Sequence, residues 1–356
     1  MACDGRGCRR HTLIPGVPYA GVIPARRNDT CVWSERTCGQ LFALQSTVPQ
    51  PLRMPRRAES DPPMPLVVTR GEALAVGLTR DQIRQRIRSG RWRILAHGVY
   101  CRGAPTLGVQ DHVTARMDHA LRAQAEVLSF TGSVAALHSA AVLRGLPLWR
   151  PLPRDVALTV PLGSWNGTRP GVILHRFTLD EGDVEDGRIP LTSTSRTCMD
   201  VARLSSIADG FAVSDAALRA GLVTHDALVD VADRIRDPRG RHRSRLVARH
   251  ASGLRESPAE SASWAYFLRH RLPLPAMQVR LESPSGTFIA RVDFWWERVR
   301  LVGECDGRMK YQSPDDLYDE KRREDAIRAA GHPVVRWTPQ DLRDGALAAR
   351  LRRLLV

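Results

Sequence analysis

Lysine is almost missing from this chain. Of 53 basic side chains only Lys310 and Lys321 are lysines, and the rest are arginines. Only lysine loses its proton readily, so nearly all of the positive charge is fixed, and the two lysines stand out as candidates for chemistry. No run of about 18 or more apolar residues occurs, which excludes a membrane-spanning helix. The first residues show no basic stretch followed by an apolar one, so a cytoplasmic protein with no membrane partner is expected. The seven cysteines are odd in number and scattered over 356 residues, which argues against a disulfide scaffold. Cys3, Cys8, Cys31 and Cys38 lack any paired C-x-x-C and are too widely spaced for a zinc site to be expected. There is also no nucleotide-binding glycine loop and no nucleophile elbow.

What the chain does have is charge of one sign. The net charge is +15 and the isoelectric point about 10.5. Such a balance favours a polyanionic partner, with DNA the expected one, although a solvated basic surface has the same composition.

The length allows two or three domains. Residues 1–63 carry four of the cysteines and no sustained period, so they read as disordered or as a mis-assigned start, Met64 being a natural beginning. Residues 64–103 are the first ordered unit. A short helix from Arg70 to Val76 stops at Gly77. Thr79 then opens a second helix as N-cap, with Gln82 closing a capping box and Leu78 placed to staple onto Ile83. Ile83 and Ile87 form its apolar stripe. Arg80, Arg84 and Arg88 line an adjacent face, with Gln85 beside them. A hairpin follows, Arg91 to Leu95 and Gly98 to Tyr100. Helix, turn, arginine-faced helix and β-wing make a winged helix-turn-helix pattern. It names Arg80, Arg84, Gln85, Arg88 and Arg91 as candidate DNA contacts. The alternative is a small packing domain with a solvated basic face.

Residues 104–235 mix helices and strands into an α+β region. Helices are expected over 111–129, 133–143, 197–204, 207–220 and 224–235, and strands over 155–160 and 171–176. His138, in an alanine-rich helix, reads as structural. Residues 236–255 hold seven arginines and read either as a solvated linker or as a basic helix lying along phosphates.

The C-terminal unit, 256–356, is expected to be an α/β domain: helix, three strands, helix, strand, helix. Ser257-Pro258, Ser313-Pro314 and Thr338-Pro339 each look like a helix start, with a hydroxyl at the N-cap, proline next and an acid at N3. Its centre is Phe288 to Lys310. A strand ending at Trp296, a two-residue turn at Glu297-Arg298 and a strand from Val299 to Cys305 put Glu304 and Asp306 on one face. With that turn, Arg291 lies across from Glu304, and Asp293 sits one diagonal step away. Three carboxylates at the end of an apolar hairpin repel one another unless a cation joins them. A hard divalent ion, Mg²⁺ or Mn²⁺, is the expected remedy, with phosphodiester cleavage as the chemistry. The alternative is pairing of Glu304 and Asp306 with nearby arginines. Trp295 and Trp296 read as packing residues.

Residues from about 250 to 356 resemble the Vsr-like branch of the PD-(D/E)XK, restriction-endonuclease-like proteins. The matching residues are Ser257 to Glu260, Leu274-Pro275 with Gln278, Val292-Asp293-Phe294, Val302 to Gly307, Asp319 to Arg322, Asp325 and Gly331 to Trp337. The resemblance implies an endonuclease with Asp293 and Glu304 as metal ligands and Glu260 as a further acid. It departs from the family's Glu-x-Lys, which here reads Glu304-Cys305-Asp306. Lys310 or Lys321 is left to supply the positive charge.

Met64 to about Arg249 resembles the AbiEi-type antitoxins of type IV toxin–antitoxin systems. Gly90-Arg91-Trp92, Gly98-Val99-Tyr100, His138 to Ala141 with Gly145-Leu146, Leu191 to Ser193, Arg196-Thr197 and Asp200 to Ala202 carry that likeness. It implies a winged-helix repressor of its own operon with a cognate toxin as partner. Two readings therefore stand at the level of sequence. One is a DNA-binding protein with an Mg²⁺-dependent nuclease domain, and the other a non-enzymatic regulator with a degenerate nuclease fold.

Overall fold

The computed structural model describes residues 61–103, 112–160, 169–306 and 314–356. Within them lie eleven α-helices and three sheets. No described helix is long and apolar enough to cross a membrane. Cys3, Cys8, Cys31 and Cys38, and the disorder expected before residue 61, fall outside the described residues, as does Lys310.

Val67–Thr69 (β1), Arg70–Ala75 (α1), Arg80–Arg88 (α2), Trp92–Ala96 (β2) and Val99–Arg102 (β3) form the first unit. Its sheet runs β1-β3-β2, antiparallel throughout. Thr69 with Glu72 and Thr79 with Gln82 close reciprocal capping boxes at the two helix starts. Each box satisfies main-chain donors that a helix leaves without partners. Leu78 and Ile83 meet in one cluster with Val68, Ala73, Trp92 and Tyr100. Beside Ile83 it is Arg86, and not Ile87, that is fully buried. The Arg86 guanidinium lies over the Trp92 ring and donates to Asp61 at 2.8 Å. Asp61 also accepts from Trp92 Nε1 at 2.9 Å and pairs with Arg91 and Arg102. The ordered unit is thus anchored three residues ahead of the expected boundary at Met64.

The middle region contains His112–Ser129 (α3), Val134–Ala135 (β4), Leu137–Leu143 (α4), Val156–Val160 (β5) and Val172–Arg176 (β6). Val184–Glu185 (β7), Leu191–Thr192 (β8), Thr194–Leu204 (α5), Ile207–Arg219 (α6), His225–Arg234 (α7) and Arg241–His250 (α8) follow. The sheet order is β6-β5-β4-β8-β7. The helix expected over 133–143 is therefore divided. Val134 and Ala135 pair with β5 and β8, and tertiary pairing overrides the helix preference of alanine. The Ala157 amide donates to Ser139 Oγ at 2.8 Å and pins α4 to the sheet.

Residues 236–255 do not form a solvated linker. Ser244, Val247 and Ala248 of α8 are buried, and the helix packs into the same core as α5, α6 and α7. Arg255 is sealed against Asp215 of α6, with Nε to Oδ2 at 2.6 Å and Nη2 to Oδ1 at 2.7 Å. The core continues across this junction into the C-terminal unit.

That unit runs Pro258–Arg269 (α9), Ala276–Glu282 (β9), Phe288–Trp296 (β10), Leu301–Cys305 (β11), Pro314–Ala329 (α10), Val334–Trp337 (β12) and Ala346–Leu354 (α11). The helix–three strands–helix–strand–helix order expected from sequence is present. The sheet order is β12-β11-β10-β9, antiparallel from β9 to β11 and parallel between β11 and β12. Thr338-Pro339 does not open a helix. Thr338 and Asp341 close a capped turn, and α11 begins only at Ala346. Phe267 of α9 meets Phe294, Trp296 and Trp337 edge-on at 5.3–5.7 Å. Gly303 is glycine because a Cβ there would fall 2.7 Å from the Trp296 ring and 2.8 Å from that of Trp337. Trp295 and Trp296 are packing residues, Trp296 donating to the Pro273 carbonyl at 2.8 Å.

Candidate functional site

Two sets of side chains were singled out by sequence, and the fold treats them differently. The first is the row of acids across β9, β10 and β11. The connection between β10 and β11 is a 3₁₀ turn, Glu297–Val299, followed by Arg300 at φ +50°. It is four residues long, not two, and it shifts the pairing. Phe294 lies against Gly303, so continuing the register one step sets Asp293, and not Arg291, opposite Glu304. On the other side Met277 pairs with Phe294 and Val279 with Val292, which places Gln278 beside Asp293. Gln278 has φ +53°, a conformation that non-glycine residues rarely adopt. Its Nε2 donates to Glu260 Oε2 at 3.1 Å. Gln278, Asp293 and Glu304 therefore form one line across three strands, with Glu260 of α9 at its Gln278 end.

Arginine side chains occupy Glu304 and Asp306. Glu304 is buried. Arg323 Nη2 reaches its Oε1 at 2.8 Å, and Arg336 Nη2 its Oε2 at 2.9 Å. Arg336 also bridges to Asp306 at 3.3 Å and to Glu324 at 3.1 Å. Arg291 forks onto Glu256 at 2.8 and 2.9 Å. Glu260 accepts from Ser257 Oγ at 2.8 Å and from the Glu256 amide at 2.9 Å, so it is the acid of a helix cap as well as the partner of Gln278. Among the described residues no group of three or more His, Cys, Asp or Glu side chains is arranged to hold a metal ion. Asp293 and Glu304 are the oxygen donors that Mg²⁺ or Mn²⁺ would take, yet both Glu304 oxygens already receive guanidinium donors. In this arrangement the pair does not fit a divalent ion. Cys305, the middle residue of Glu304-Cys305-Asp306, is buried. Burial, with the charges of Asp293, Glu260 and Asp306, pushes its thiol up to about 12 and outweighs the bond with Ser263, so it stays protonated. Lys321 is exposed on α10.

The second set is the outer face of α2. Arg80, Arg84, Gln85 and Arg88 are all exposed, and the spacing of four puts the three arginines on one side of the helix. Arg84 lies 3.3 Å from Asp81, an exposed pair that water screens. Arg91 stands apart from that face and reaches toward Asp61 at 3.4 Å.

Sequence reasoning missed a buried ionic network in the middle region. Arg196 binds Asp183 at 2.6 Å and Asp200 at 2.9 Å, and Arg203 binds Asp200 at 2.8 Å and Asp237 at 3.0 Å. Arg203 also lies over the Phe177 ring at 4.4 Å. A cavity of about 290 Å³ borders it. Arg234 and Arg239 add further guanidinium groups at Asp183 and Asp237, so every member is paired and the network reads as a scaffold. Nearby His138 is hydrogen-bonded to the Asp155 carbonyl at 2.8 Å, and His119 to Ser139 Oγ at 2.8 Å.

Burial and the neighbouring positive charge push His119 down to about 3, and His175 to about 4. Both fold as neutral rings. Unfolded histidine takes up a proton near pH 6.5, so below that value the unfolded chain binds more protons than the native one. Stability is therefore fully present above about pH 6.5 and drains away as the pH falls toward about 4 and 3. The urea midpoint is expected to drop on acidification through this window, and to drop less in His119→Gln. An equal drop in both proteins would exclude His119 as a source.

No family model matches the chain. It is 27% identical over 285 residues to the uncharacterized protein MT2308 of Mycobacterium tuberculosis strain CDC 1551 / Oshkosh, covering 78% of this chain and 97% of that one. The same figures hold for the uncharacterized protein Rv2248 of Mycobacterium tuberculosis strain H37Rv. Among solved structures, the RV2827C protein from Mycobacterium tuberculosis aligns over 62% of this chain and 84% of its own at 16% identity, with a TM-score of 0.34.

Proposed function

We propose that the chain is a DNA-binding regulator that docks the arginine face of α2 on a duplex with the β2–β3 hairpin beside it. The observation that carries this reading is the exposed row Arg80, Arg84 and Arg88 on a helix whose start is fixed by the Thr79–Gln82 capping box. A three-stranded sheet in the order β1-β3-β2 beneath two helices also suits a winged helix. Arg91 belongs to the internal pairing around Asp61 in this account, not to the contact surface. The C-terminal unit supports regulation better than cleavage, because Arg323 and Arg336 neutralise Glu304 where an endonuclease needs open oxygen donors. A cognate toxin remains the partner that the antitoxin resemblance suggests.

A gel shift against the DNA upstream of its own coding sequence tests the reading. Arg80→Ala/Arg88→Ala is expected to weaken binding by about tenfold or more, because two phosphates are left without a cation. Both residues are exposed and engage no described carboxylate, so the fold is expected to persist. Equal binding by wild type and variant overturns the proposal.

One observation favours the second reading, a metal-dependent nuclease: the alignment of Gln278, Asp293 and Glu304 with Glu260 alongside. It requires Arg323 and Arg336 to release Glu304. Plasmid incubation with Mg²⁺ or Mn²⁺ separates the two. The regulator reading expects no nicking by wild type. Nicking that disappears in Asp293→Ala would put the nuclease ahead.

A further inference from the structure

A groove of about 1370 Å³ runs between the middle region and the C-terminal unit. It exceeds the roughly 300–1,000 Å³ of clefts that take small molecules, so its dimensions suit a segment of polymer. Five arginines line it: Arg116, Arg150, Arg243, Arg269 and Arg343. No aspartate or glutamate does, among the described residues. Elsewhere this protein balances its guanidinium groups, since Arg196, Arg203, Arg234 and Arg336 each sit on two or more carboxylates. The groove arginines are positioned by main-chain carbonyls instead. Arg116 donates to the Leu146 carbonyl at 2.8 Å, Arg243 to that of Ser205 at 3.0 Å and Arg269 to that of Leu342 at 3.3 Å. A neutral acceptor holds a guanidinium in place without cancelling its charge. Arg150 and Arg343 are exposed at the rim. Asp209, next in sequence to the lining residue Ala208, is buried. Its carboxylate accepts from the Trp149 and Arg150 amides and from the Ser205 and Ser206 hydroxyls. It therefore serves to shape the loop.

The floor between these charges is apolar. Leu148, Trp149, Ile207 and Leu342 contribute to it, with Pro147 and Pro258 at its edges. Trp149 is half-buried, and Tyr266 lies beneath Arg269 at 5.3 Å. Fixed positive charge above an apolar, partly aromatic floor is the chemistry that single-stranded nucleic acids require. Phosphates meet the cations, while unstacked bases leave water for the rings. A duplex, whose bases are already stacked, offers nothing to such a floor. Burial also pushes the Arg116 guanidinium down from its ordinary value.

We propose that this groove binds a single strand of nucleic acid, its phosphates on Arg116, Arg150, Arg243, Arg269 and Arg343 and its bases against Trp149 and the aliphatic floor. The site is separate from α2 and does not rest on the reading of α2 as a duplex contact.

The test is fluorescence anisotropy on the full chain with a short labelled oligodeoxythymidylate and with an abasic oligomer of the same length. Wild type is expected to bind the thymidylate, and to bind the abasic strand about tenfold or more weakly, because the stacking contribution is gone. Arg150→Ala/Arg343→Ala, which removes only exposed rim charges, is expected to weaken thymidylate binding by several-fold and to lower its salt slope by about 1–2. Arg80→Ala/Arg88→Ala is expected to bind the single strand as wild type does, which separates this site from the α2 surface. Three results would each overturn the proposal: no binding by wild type, equal affinity for the abasic strand, or binding unchanged in the rim variant. Equal affinity for the abasic strand would mean a groove for polyanions in general.

Discussion

Arg255→Ala is expected to lose about 3–5 kcal/mol of folding stability, the range for removing one partner of a buried ion pair. Arg255 and Asp215 are each 1% exposed. The guanidinium forks onto the carboxylate, donates again to the His250 carbonyl at 2.7 Å, and lies over the rings of Phe211 and Trp264 at 5.2 and 4.8 Å. Asp215 in turn accepts from the Ser252 amide at 2.8 Å and from Ser261 Oγ at 2.7 Å. One pair thus ties α6, the end of α8 and the start of α9 together. Truncation strands a carboxylate in an apolar core that water does not reach, and that penalty outweighs the lost hydrogen bonds themselves. Urea unfolding measures it. The double variant Arg255→Met/Asp215→Leu is expected to recover much of the loss, because neither charge then remains buried alone. A double variant no more stable than Arg255→Ala would show that packing around the pair, and not the unpaired charge, sets the penalty.

Gly240→Ala is the second large effect, at about 2–5 kcal/mol. Gly240 starts α8 at φ +67°, where any L side chain is strained. A Cβ there would also land on the Arg203 carbonyl oxygen, with the Arg203 Cα only 2.9 Å away. Arg203 is fully buried between Asp200 and Asp237 and has no room to retreat. Steric overlap and backbone strain therefore add. Gly221→Ala provides the control. That residue also has φ +67° but nothing within 4 Å of a Cβ, so it is expected to show the strain alone. Equal destabilisation of the two variants, read by thermal unfolding, would remove the clash from the account.

Much of the fold was legible in the sequence where short-range rules decide it. Thr79 and Gln82 announced α2 because a capping box is local. The alternating strands and Ser257-Pro258 announced the order of the C-terminal unit. Longer-range outcomes were not visible. The register of the acid row depends on Arg300 taking a left-handed conformation in the β10–β11 turn, which arginine does not advertise. Asp293 therefore faces Glu304 where Arg291 was expected. The arginine-rich stretch 236–255 read equally as a solvated linker or a basic helix, because its charges dominate any average. Ser244, Val247 and Ala248, at helical spacing, were the available sign that one face is buried. Arg196, Asp200 and Arg203 showed no sign of their buried pairing, since the sequence of one segment does not disclose that Asp183 and Asp237 arrive from elsewhere to meet them. For the candidate site, the acids were found but their partners were not. Arg323 and Arg336 lie 19 and 32 residues beyond Glu304 and reach it only through the packing of α10 and β12.

The central claim is that α2 meets the phosphates of a duplex through Arg80 and Arg88. Its most direct measurement is the salt dependence of duplex affinity for wild type and for Arg80→Ala/Arg88→Ala. The slope of log affinity against log salt concentration falls by about 0.9 for each phosphate that the protein no longer neutralises. The account expects the slope of the double variant to be shallower by about 1.8, with weaker binding at every salt concentration. Identical slopes and affinities for the two proteins would contradict it.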